Sequence, residues 1–408
     1  MAFLYINSKG VPWRKHSYSA GRDFKQSPLK YKLRRIEGWK ERDNKAAFKF
    51  GRAFESALQY FHENNFAPGS GIAEFIRLWE VHRTETDLTF TKKEKDWPNL
   101  NRIGQEMLRL YEIRQPSLPL TANSVFQREY SKEVFPGDPN YGEIEDAGKI
   151  DLISYPCPDH PLLPKLDWKP EYGLVRPVIV DIKTSGVDYA DIKGEAAHDA
   201  QLRRYAWLSG IYTVAFLWFK KAGHRMSKGS SVTLLDSAEE FNAGDEAVVA
   251  NVMKDGNVYI VRSDFFVEEM EKAQGRKKNE DGTEGALDTT KDATARKELW
   301  LAGNAVLVKP EQLTRQRLQW NCGMVSPEKA DDAGYTAADQ IVSIVNSWKR
   351  KHWPDTFEPR PGMMDCHDPY YVAFVRGDEM FRKANFTQKI DDEFDLFAEE
   401  EPAVGEDE

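Results

Sequence analysis

Val178-Ile179-Val180-Asp181-Ile182-Lys183-Thr184-Ser185-Gly186 places an acid and a base at the end of an apolar run. Its β-branched opening and its closing turn residues predict a buried strand that runs out to a loop. Because strand side chains alternate between faces, Asp181 and Lys183 should point one way, and Val180, Ile182 and Thr184 the other. A carboxylate beside an ammonium at a strand exit is costly in a core and useful in a site. The alternative is a surface strand with an exposed ion pair.

A second carboxylate precedes this strand by thirty residues, in Gly148-Lys149-Ile150-Asp151. If adjacent strands bring Asp151 and Asp181 together, their charges repel unless a cation lies between them. Oxygen ligands favour a hard ion, Mg²⁺ or Mn²⁺, and the carbonyl oxygen of Ile182 can supply a further ligand. Lys183 would then orient the attacking water or help deprotonate it, and would offset developing negative charge.

Two helical segments offer further polar groups for the same site. Glu55 lies one turn after Gly51, where Gly51 would let another backbone approach closely and Glu55 would reach the metal. Gln201 and Tyr205 are also one turn apart, and both can contact phosphate or order the site. Residues of these types are equally common on solvated or amphipathic helices, and that alternative stays open.

Charge is unevenly distributed along the 408 residues, whose formal net charge is −9. Residues 1–49 hold thirteen Lys and Arg against four Asp and Glu, whereas residues 390–408 hold ten acidic residues and no basic one. This asymmetry predicts a basic arm that binds a polyanion, although basic stretches are often only solvated surface. The predicted DNA-binding cations are Lys30, Arg34 and Arg35 in the arm, and Arg203 and Arg204 further on.

The composition is that of a water-soluble protein. No apolar run approaches the length of a membrane span and the first residues do not resemble a signal peptide, so a cytoplasmic location is expected. Cys157, Cys322 and Cys366 are too far apart for a disulfide framework or a standard zinc or iron–sulfur spacing. A zinc site among Cys322, Cys366, His352 and His367 is an alternative with irregular spacing.

Hydrophobic periodicity predicts a mixed α/β chain with four parts. Residues 1–115 are predicted to be mainly helical, and residues 116–270 to form a core with a central mixed sheet flanked by helices. Residues 271–387 are predicted to combine a mobile loop with a helical region. The acidic residues 388–408 are expected to be disordered.

Four segments of the C-terminal half have specific predictions. A helix is predicted to start within residues 267–273, and the polar, glycine-containing residues 275–292 are predicted to be the mobile loop. Further helices are predicted at residues 299–306 and 337–348.

The candidate residues follow an order that resembles a known family. The order is Gly51…Glu55, Glu129, Gly148-x-x-Asp151, Asp181-x-Lys183 and Gln201-x-x-x-Tyr205. It is similar to the motifs of the PD-(D/E)XK nuclease superfamily, and within it to the RecB-like exonucleases, which include phage recombination nucleases. The resemblance implies a restriction-endonuclease-like core and Mg²⁺-dependent hydrolysis of DNA phosphodiester bonds that leaves a 5′ phosphate.

The same resemblance implies roles for individual residues. The implied site consists of the metal ligands Glu55, Asp151, Asp181 and Ile182 and the catalytic residues Lys183, Gln201 and Tyr205, with the two aspartates serving in both sets. Glu55 stands where many members have His, and either side chain can bind a metal. Ser27 stands where iron–sulfur members have Cys, so no iron–sulfur cluster is expected. Mn²⁺ is expected to replace Mg²⁺.

The acidic tail contains one apolar motif, Glu393-Phe394-Asp395-Leu396-Phe397. Its last three residues match the bacterial sliding-clamp-binding pentapeptide, which predicts clamp contacts by Phe394, Leu396 and Phe397. An untargeted solubilising tail is the alternative. The whole sequence thus predicts a metal-dependent DNA exonuclease, and the competing hypothesis is a non-catalytic DNA-binding or clamp-binding protein on a nuclease-like fold.

Overall fold

The computed structural model describes residues 13–42, 45–85, 88–90, 96–141, 144–165, 175–186, 195–222, 232–241, 247–249, 258–262, 275–279, 282–291, 294–295, 298, 305–308, 312–354 and 368–388. The α-helices within these ranges are α1 (Tyr18–Gln26), α2 (Pro28–Tyr31), α3 (Ala46–Glu63), α4 (Ser70–Glu80), α5 (Trp97–Arg114), α6 (Ala200–Ser209), α7 (Pro327–Arg350) and α8 (Glu379–Asn385). Within these ranges, no helix combines the length and the apolar composition that crossing a membrane requires.

The two short N-terminal helices begin at serine caps. The hydroxyl of Ser17 accepts a hydrogen bond from the Ala20 amide at 3.2 Å, and that of Ser27 accepts one from the Lys30 amide, also at 3.2 Å. Pro28 occupies the first position of α2, where a missing N–H costs nothing. The chain therefore turns at Ser27 and ends α1 there.

A six-stranded mixed sheet lies at the centre, as the sequence predicts. The strands among the described residues are β1 (Lys15–Ser17), β2 (Trp39–Glu41), β3 (Val125–Glu133), β4 (Glu145–Ser154), β5 (Val178–Ser185), β6 (Thr213–Lys220), β7 (Val232–Leu234), β8 (Glu240–Phe241), β9 (Ala247–Val249), β10 (Val258–Arg262), β11 (Arg276–Lys278), β12 (Glu284–Leu287), β13 (Ala305–Val308), β14 (Leu313–Thr314), β15 (Arg317–Met324) and β16 (Phe386–Gln388). The central sheet has the order β1-β4-β5-β6-β15, and β3 pairs with β4 as well. The pairs β1–β4 and β5–β6 are parallel, and the others are antiparallel.

Strand β4 has three neighbours because one of its edges is shared between two strands. Its first residues pair with β1, with Ala147 opposite Ser17. Its last residues pair with β5, with Leu152 opposite Val180. Among the described strands, none pairs with residues 148–151 on that edge. The segment Gly148 to Asp151 therefore lies at a fork in the sheet, where side chains from both branches can converge.

An apolar layer covers each face of the sheet. On one face, α3, α4 and α5 bury an aromatic-rich core in which the rings of Phe54 and Phe219 are 4.7 Å apart between centroids. On the other face, Leu202 of α6 packs with Ile150 and Ile179 of the sheet. Full burial of each large apolar side chain contributes about 1.5–3 kcal/mol, so these layers fix α3 and α6 on opposite faces of the fork.

The sheet is assembled from a longer part of the chain than the predicted core, residues 116–270. Strand β1 precedes that range, and β15 follows it and pairs with β6 along its whole length, from Arg317 opposite Lys220 to Met324 opposite Thr213. Near the C-terminus, β16 pairs with β2. The central sheet thus takes strands from residue 15 to residue 324.

Two of the C-terminal predictions are wrong, and one is confirmed. The predicted loop at residues 275–292 contains the antiparallel hairpin β11–β12, with Gly282 in the turn at a φ of +81°. Its strands are polar and lack the alternation that marks a strand in sequence. Of the predicted helix at 299–306, residues 299–304 lie outside the described residues, and residues 305–306 belong to β13 instead, because a short apolar run fits helix and strand equally. The helix at 337–348 lies within α7, and residues 267–273 lie outside the described residues.

Candidate active site

Asp181 and Lys183 lie side by side on the half of β5 that follows the fork. Val180 and Ile182 pack into the core beneath α3, whereas Ile179 packs against α6, so Asp181 and Lys183 are on the α6 face. The Lys183 ammonium is 2.8 Å from Asp181 Oδ2 and 3.0 Å from Oδ1. The side chain of Asp181 is 2% exposed and that of Lys183 is 39% exposed. The pair is therefore anchored in the interior and open to solvent at the lysine.

Asp151 reaches across the fork to β5. Its Oδ2 accepts a hydrogen bond from the Ile182 amide at 3.0 Å, and its carboxyl group lies close enough to that of Asp181 for each to shift the pKa of the other. Burial, together with the charge of Asp151, raises the pKa of Asp181 to about 8. Burial, together with the charge of Glu55, raises the pKa of Asp151 to about 6. Both carboxyl groups would ionise more readily beside a cation, which makes this pair chemically suited to one.

Glu55 of α3 approaches the same place from the opposite face of the sheet. Its negative charge acts on Asp151, and its Oε1 accepts a hydrogen bond from the side-chain amide of Gln127. Within the described ranges, no three His, Cys, Asp or Glu side chains form a group that could hold a metal ion. Glu55 is thus a neighbour of the aspartate pair, and it does not complete a three-carboxylate cluster with them.

The expected close backbone approach at Gly51 is not found. A Cβ atom at Gly51 would meet only Thr184 Oγ1, at 3.9 Å, which is an ordinary contact. The tight glycine is Gly148, where a Cβ would lie 2.8 Å from Tyr205 Cε1 and 2.9 Å from Leu208 Cδ1. Gly148 therefore lets α6 lie directly on β4.

Gln201 and Tyr205 project from α6 toward the aspartates. The amide of Gln201 donates to the hydroxyl of Tyr205 at 2.7 Å. Burial, followed by the charge of Asp151, raises the pKa of Tyr205. The helix begins at Asp199, whose Oδ1 accepts hydrogen bonds from the Gln201 and Leu202 amides. The predicted spacing of Gln201 and Tyr205, one helical turn apart, is found in the structure, and their hydrogen bond was not foreseen.

Lys30 and Arg204 are buried, which corrects their predicted role in DNA binding. The side chain of Lys30 is 2% exposed, and its ammonium lies 2.8 Å from Asp368 Oδ2. The side chain of Arg204 is 3% exposed and forms an ion pair with the fully buried Asp146. A phosphate cannot reach either cation without opening the core. Their partners are 338 and 58 residues away, which no local pattern reveals.

The other three predicted DNA-binding arginines are nearer the surface. Arg34 and Arg35 both bind the carboxylate of Asp23 at 3.1 Å, and the Arg34 side chain is 41% exposed. Arg203 donates to the Ala197 carbonyl at 2.9 Å. Their contact with DNA stays a prediction.

Glu129, which belongs to the motif order, lies apart from the aspartate pair. It is opposite Lys149 in the β3–β4 ladder, and its carboxylate pairs with Lys15. Both side chains are about two-fifths exposed, so Glu129 forms a surface ion pair.

Two residues near the site were not found from the sequence. Asp199, the cap of α6, adds a negative charge near Lys183, and its capping role was readable from an Asp before an amphipathic segment. Gln127 contacts Glu55 from β3, and no sequence signal distinguishes it from other polar residues of strands.

Two alternative sites from the sequence lie partly or wholly outside the described residues. Of the predicted zinc ligands, Cys322 lies on β15 and is partly buried, while Cys366 and His367 lie outside the described residues. The tail motif at residues 393–397 also lies outside them.

Comparison with known proteins gives one family and a distant set of structures. Five chains of known structure match; one, described as "Crystal structure of SSO0001", is 16% identical, covers 47% of this chain and 69% of its own, and has a TM-score of 0.17. No curated protein matches. The family model of the PD-(D/E)XK nuclease superfamily matches residues 15–215, a range that holds Glu55, both aspartates, Lys183 and Tyr205. Through residues 15–215, the chain belongs to the PD-(D/E)XK nuclease superfamily.

Proposed function

We propose that this protein is a Mg²⁺-dependent DNA exonuclease that hydrolyses phosphodiester bonds to 5′-phosphate products, with Mn²⁺ able to replace Mg²⁺. The observation that carries the proposal is the meeting of a buried aspartate, Asp181, a partly buried one, Asp151, and one lysine at the fork of the sheet. Asp151 lies close enough to Asp181 to raise its pKa, and the Lys183 ammonium lies 2.8 Å from Asp181 Oδ2. This arrangement combines a place for a hard cation with a solvent-facing ammonium.

The donor set fits a magnesium-like ion. Asp151 and Asp181 supply carboxylate oxygens, and Ile182, the residue after Asp181, supplies a carbonyl oxygen. Glu55 is a further carboxylate whose charge acts on Asp151. All of these are oxygen donors, which hard divalent cations prefer. When bound, the ion supplies positive charge that polarises the phosphate and stabilises charge on its oxygens.

The chain's own residues bind and orient the substrate. Lys183, anchored by Asp181 and 39% exposed, can donate to a phosphate oxygen or to the attacking water. Tyr205 and Gln201 form a hydrogen-bonded pair beside the aspartates, which suits them to order that water or the phosphate. Gly148 lets α6 pack closely on the sheet, and Asp199 caps the start of α6. Together they fix the position of Tyr205 and Gln201 relative to the site.

The choice of exonuclease rests on the resemblance of the motif order to the RecB-like group, as do the proposed roles in recombination, repair or phage DNA processing. The proposed setting is a bacterial cytoplasm, infected or not. Arg34, Arg35 and Arg203 are proposed to contact the DNA backbone, since the first of them is partly exposed on the basic arm.

Digestion of matched DNA substrates tests the exonuclease. Labelled linear and covalently closed circular DNA, each single- and double-stranded, would be incubated with the protein and Mg²⁺ or Mn²⁺. The proposal predicts loss of linear DNA, survival of the circles, and products with 5′ phosphates. Cleavage of the circular DNA would show that the protein is an endonuclease and not an exonuclease. Binding of DNA with no cleavage of any substrate would favour a non-catalytic accessory protein.

We further propose that residues 393–397 bind a bacterial sliding clamp, on the strength of the Asp395-Leu396-Phe397 match. A chain ending at Lys389 would be compared with the full chain for clamp binding and for digestion of clamp-loaded DNA. Loss of binding without loss of activity on free DNA is the expected result. Equal clamp binding by both chains would refute this role.

A further inference from the structure

Gln127 has a backbone conformation that is rare inside a strand. Its φ is +52°, in the left-handed region, although residues on both sides belong to β3. A non-glycine residue is strained there, and such strain tends to mark functional sites. The position is opposite Asp151: Phe126 pairs with Leu152 and Arg128 with Ile150, and these two partners flank Asp151.

The side-chain alternation of both strands reverses at this position. On β3, Phe126 packs on the core beneath α3, whereas Tyr130, four residues later, packs on the α6 core. Strict alternation would put both on one face. The β3–β4 pairing keeps its register on either side of Gln127, so the reversal is a local rotation of the backbone and not an inserted residue.

The partner strand shows the same reversal at Asp151. Ile150 belongs to the α6 core, and Leu152, two residues later, belongs to the core beneath α3. The paired reversal therefore centres on one of the two proposed metal ligands and on the glutamine opposite it.

The rotated backbone places the Gln127 amide on Glu55. The side-chain N–H₂ of Gln127 donates to Glu55 Oε1, which ties α3 to β3 at the site. Glu55 acts on Asp151 through its charge, so the contact links all three residues. Glycine would adopt this φ without strain, so backbone geometry alone does not account for a glutamine here.

We propose that Gln127 is a positioning residue that orients the Glu55 carboxylate toward the ion held by Asp151 and Asp181, an inference that rests on the proposed function. Hydrogen bonds from a surrounding residue to a metal ligand fix the ligand's rotation and commonly change metal affinity 10- to 100-fold. The left-handed conformation of Gln127 is what aims its amide at Glu55 rather than along β3.

Isothermal titration calorimetry of the purified full chain with MnCl₂ measures the Mn²⁺ affinity and so tests this positioning. Gln127→Gly keeps the φ and removes the amide, and Gln127→Asn tolerates the φ and is too short to reach Glu55. Both are expected to weaken Mn²⁺ binding about 10- to 100-fold and to melt at or above the wild-type temperature. Gln59→Ala is the matched control, because Gln59 lies on α3 with Glu55 and its side-chain amide donates to Glu63 at an exposed site. It should bind Mn²⁺ as the wild type does.

A double substitution separates positioning from a direct role. If Gln127 acts through Glu55, the variant combining Glu55→Gln with Gln127→Gly should bind Mn²⁺ as Glu55→Gln alone does. Wild-type affinity in Gln127→Gly, or a further full loss in the double variant, would overturn the inference.

The wild type's nuclease activity reports on the proposed function separately. DNA cleavage by the wild type with unchanged Mn²⁺ affinity in Gln127→Gly would leave the nuclease proposal standing and remove only the role of Gln127. A wild type that neither cleaves DNA nor binds Mn²⁺ would overturn both.

Discussion

Alanine at two motif glycines should change stability in opposite directions. A Cβ at Gly148 would lie 2.8 Å from the Tyr205 ring and 2.9 Å from Leu208, distances that real Cβ atoms do not show. The Tyr205 ring and the Leu208 side chain, or helix α6 with them, would have to shift, and such overpacking costs about 1–3 kcal/mol. A Cβ at Gly51 would have its nearest neighbour at 3.9 Å, and Gly→Ala inside a helix gains about 0.5–1 kcal/mol.

Urea unfolding followed by circular dichroism measures this contrast directly. Gly148→Ala and Gly51→Ala should differ by roughly 1.5–4 kcal/mol in unfolding free energy, with the wild type between them. Gly148→Ala should also lower nuclease turnover, because Tyr205 and Gln201 move with α6. A neutral Gly148→Ala, or a Gly51→Ala that destabilises the chain, would refute the reasoning about which glycine is tight.

Two further predictions concern buried charge away from the reacting groups. Lys30→Met should destabilise the chain by about 3–5 kcal/mol, because it leaves the Asp368 carboxylate buried without the Lys30 ammonium. It should leave the salt dependence of DNA binding unchanged, and a shallower salt dependence would show that Lys30 does contact phosphate. Burial lowers the pKa of His62 from 6.5 to about 4, so the unfolded chain binds the proton more tightly and acid favours unfolding. Between pH 8 and pH 5 the wild type should lose about 2 kcal/mol relative to His62→Gln, as urea midpoints will show, and parallel pH profiles would contradict this.

The strand pattern around Asp181 was predictable because alternation is a local property. The faces assigned to Asp181, Lys183 and Val180 follow from a period of two, and the structure has them so. Strand β15 carried the same signal, with Leu318 and Trp320 separated by the polar Gln319, and it could have been read from the sequence.

Other features could not be read because they depend on distant partners. Lys30 looks like part of a basic surface until Asp368 is brought to it from the far end of the chain. The reversal at Gln127 depends on Asp151 in the next strand and on Glu55 in a helix, so no local window contains its cause. Sequence reasoning also assigned the close contact to Gly51, whereas helix packing gives it to Gly148.

The most direct test of the central claim is release of nucleotides from linear DNA by the wild type, Asp181→Ala and Lys183→Ala. With Mg²⁺ the wild type should digest the DNA, and EDTA should abolish the activity. Each variant should have at least about 100-fold lower activity than the wild type. Asp181→Ala removes a carboxylate of the proposed metal site, and Lys183→Ala removes the solvent-facing ammonium. Equal activity in all three proteins would contradict the assignment of Asp181 and Lys183 to the active site.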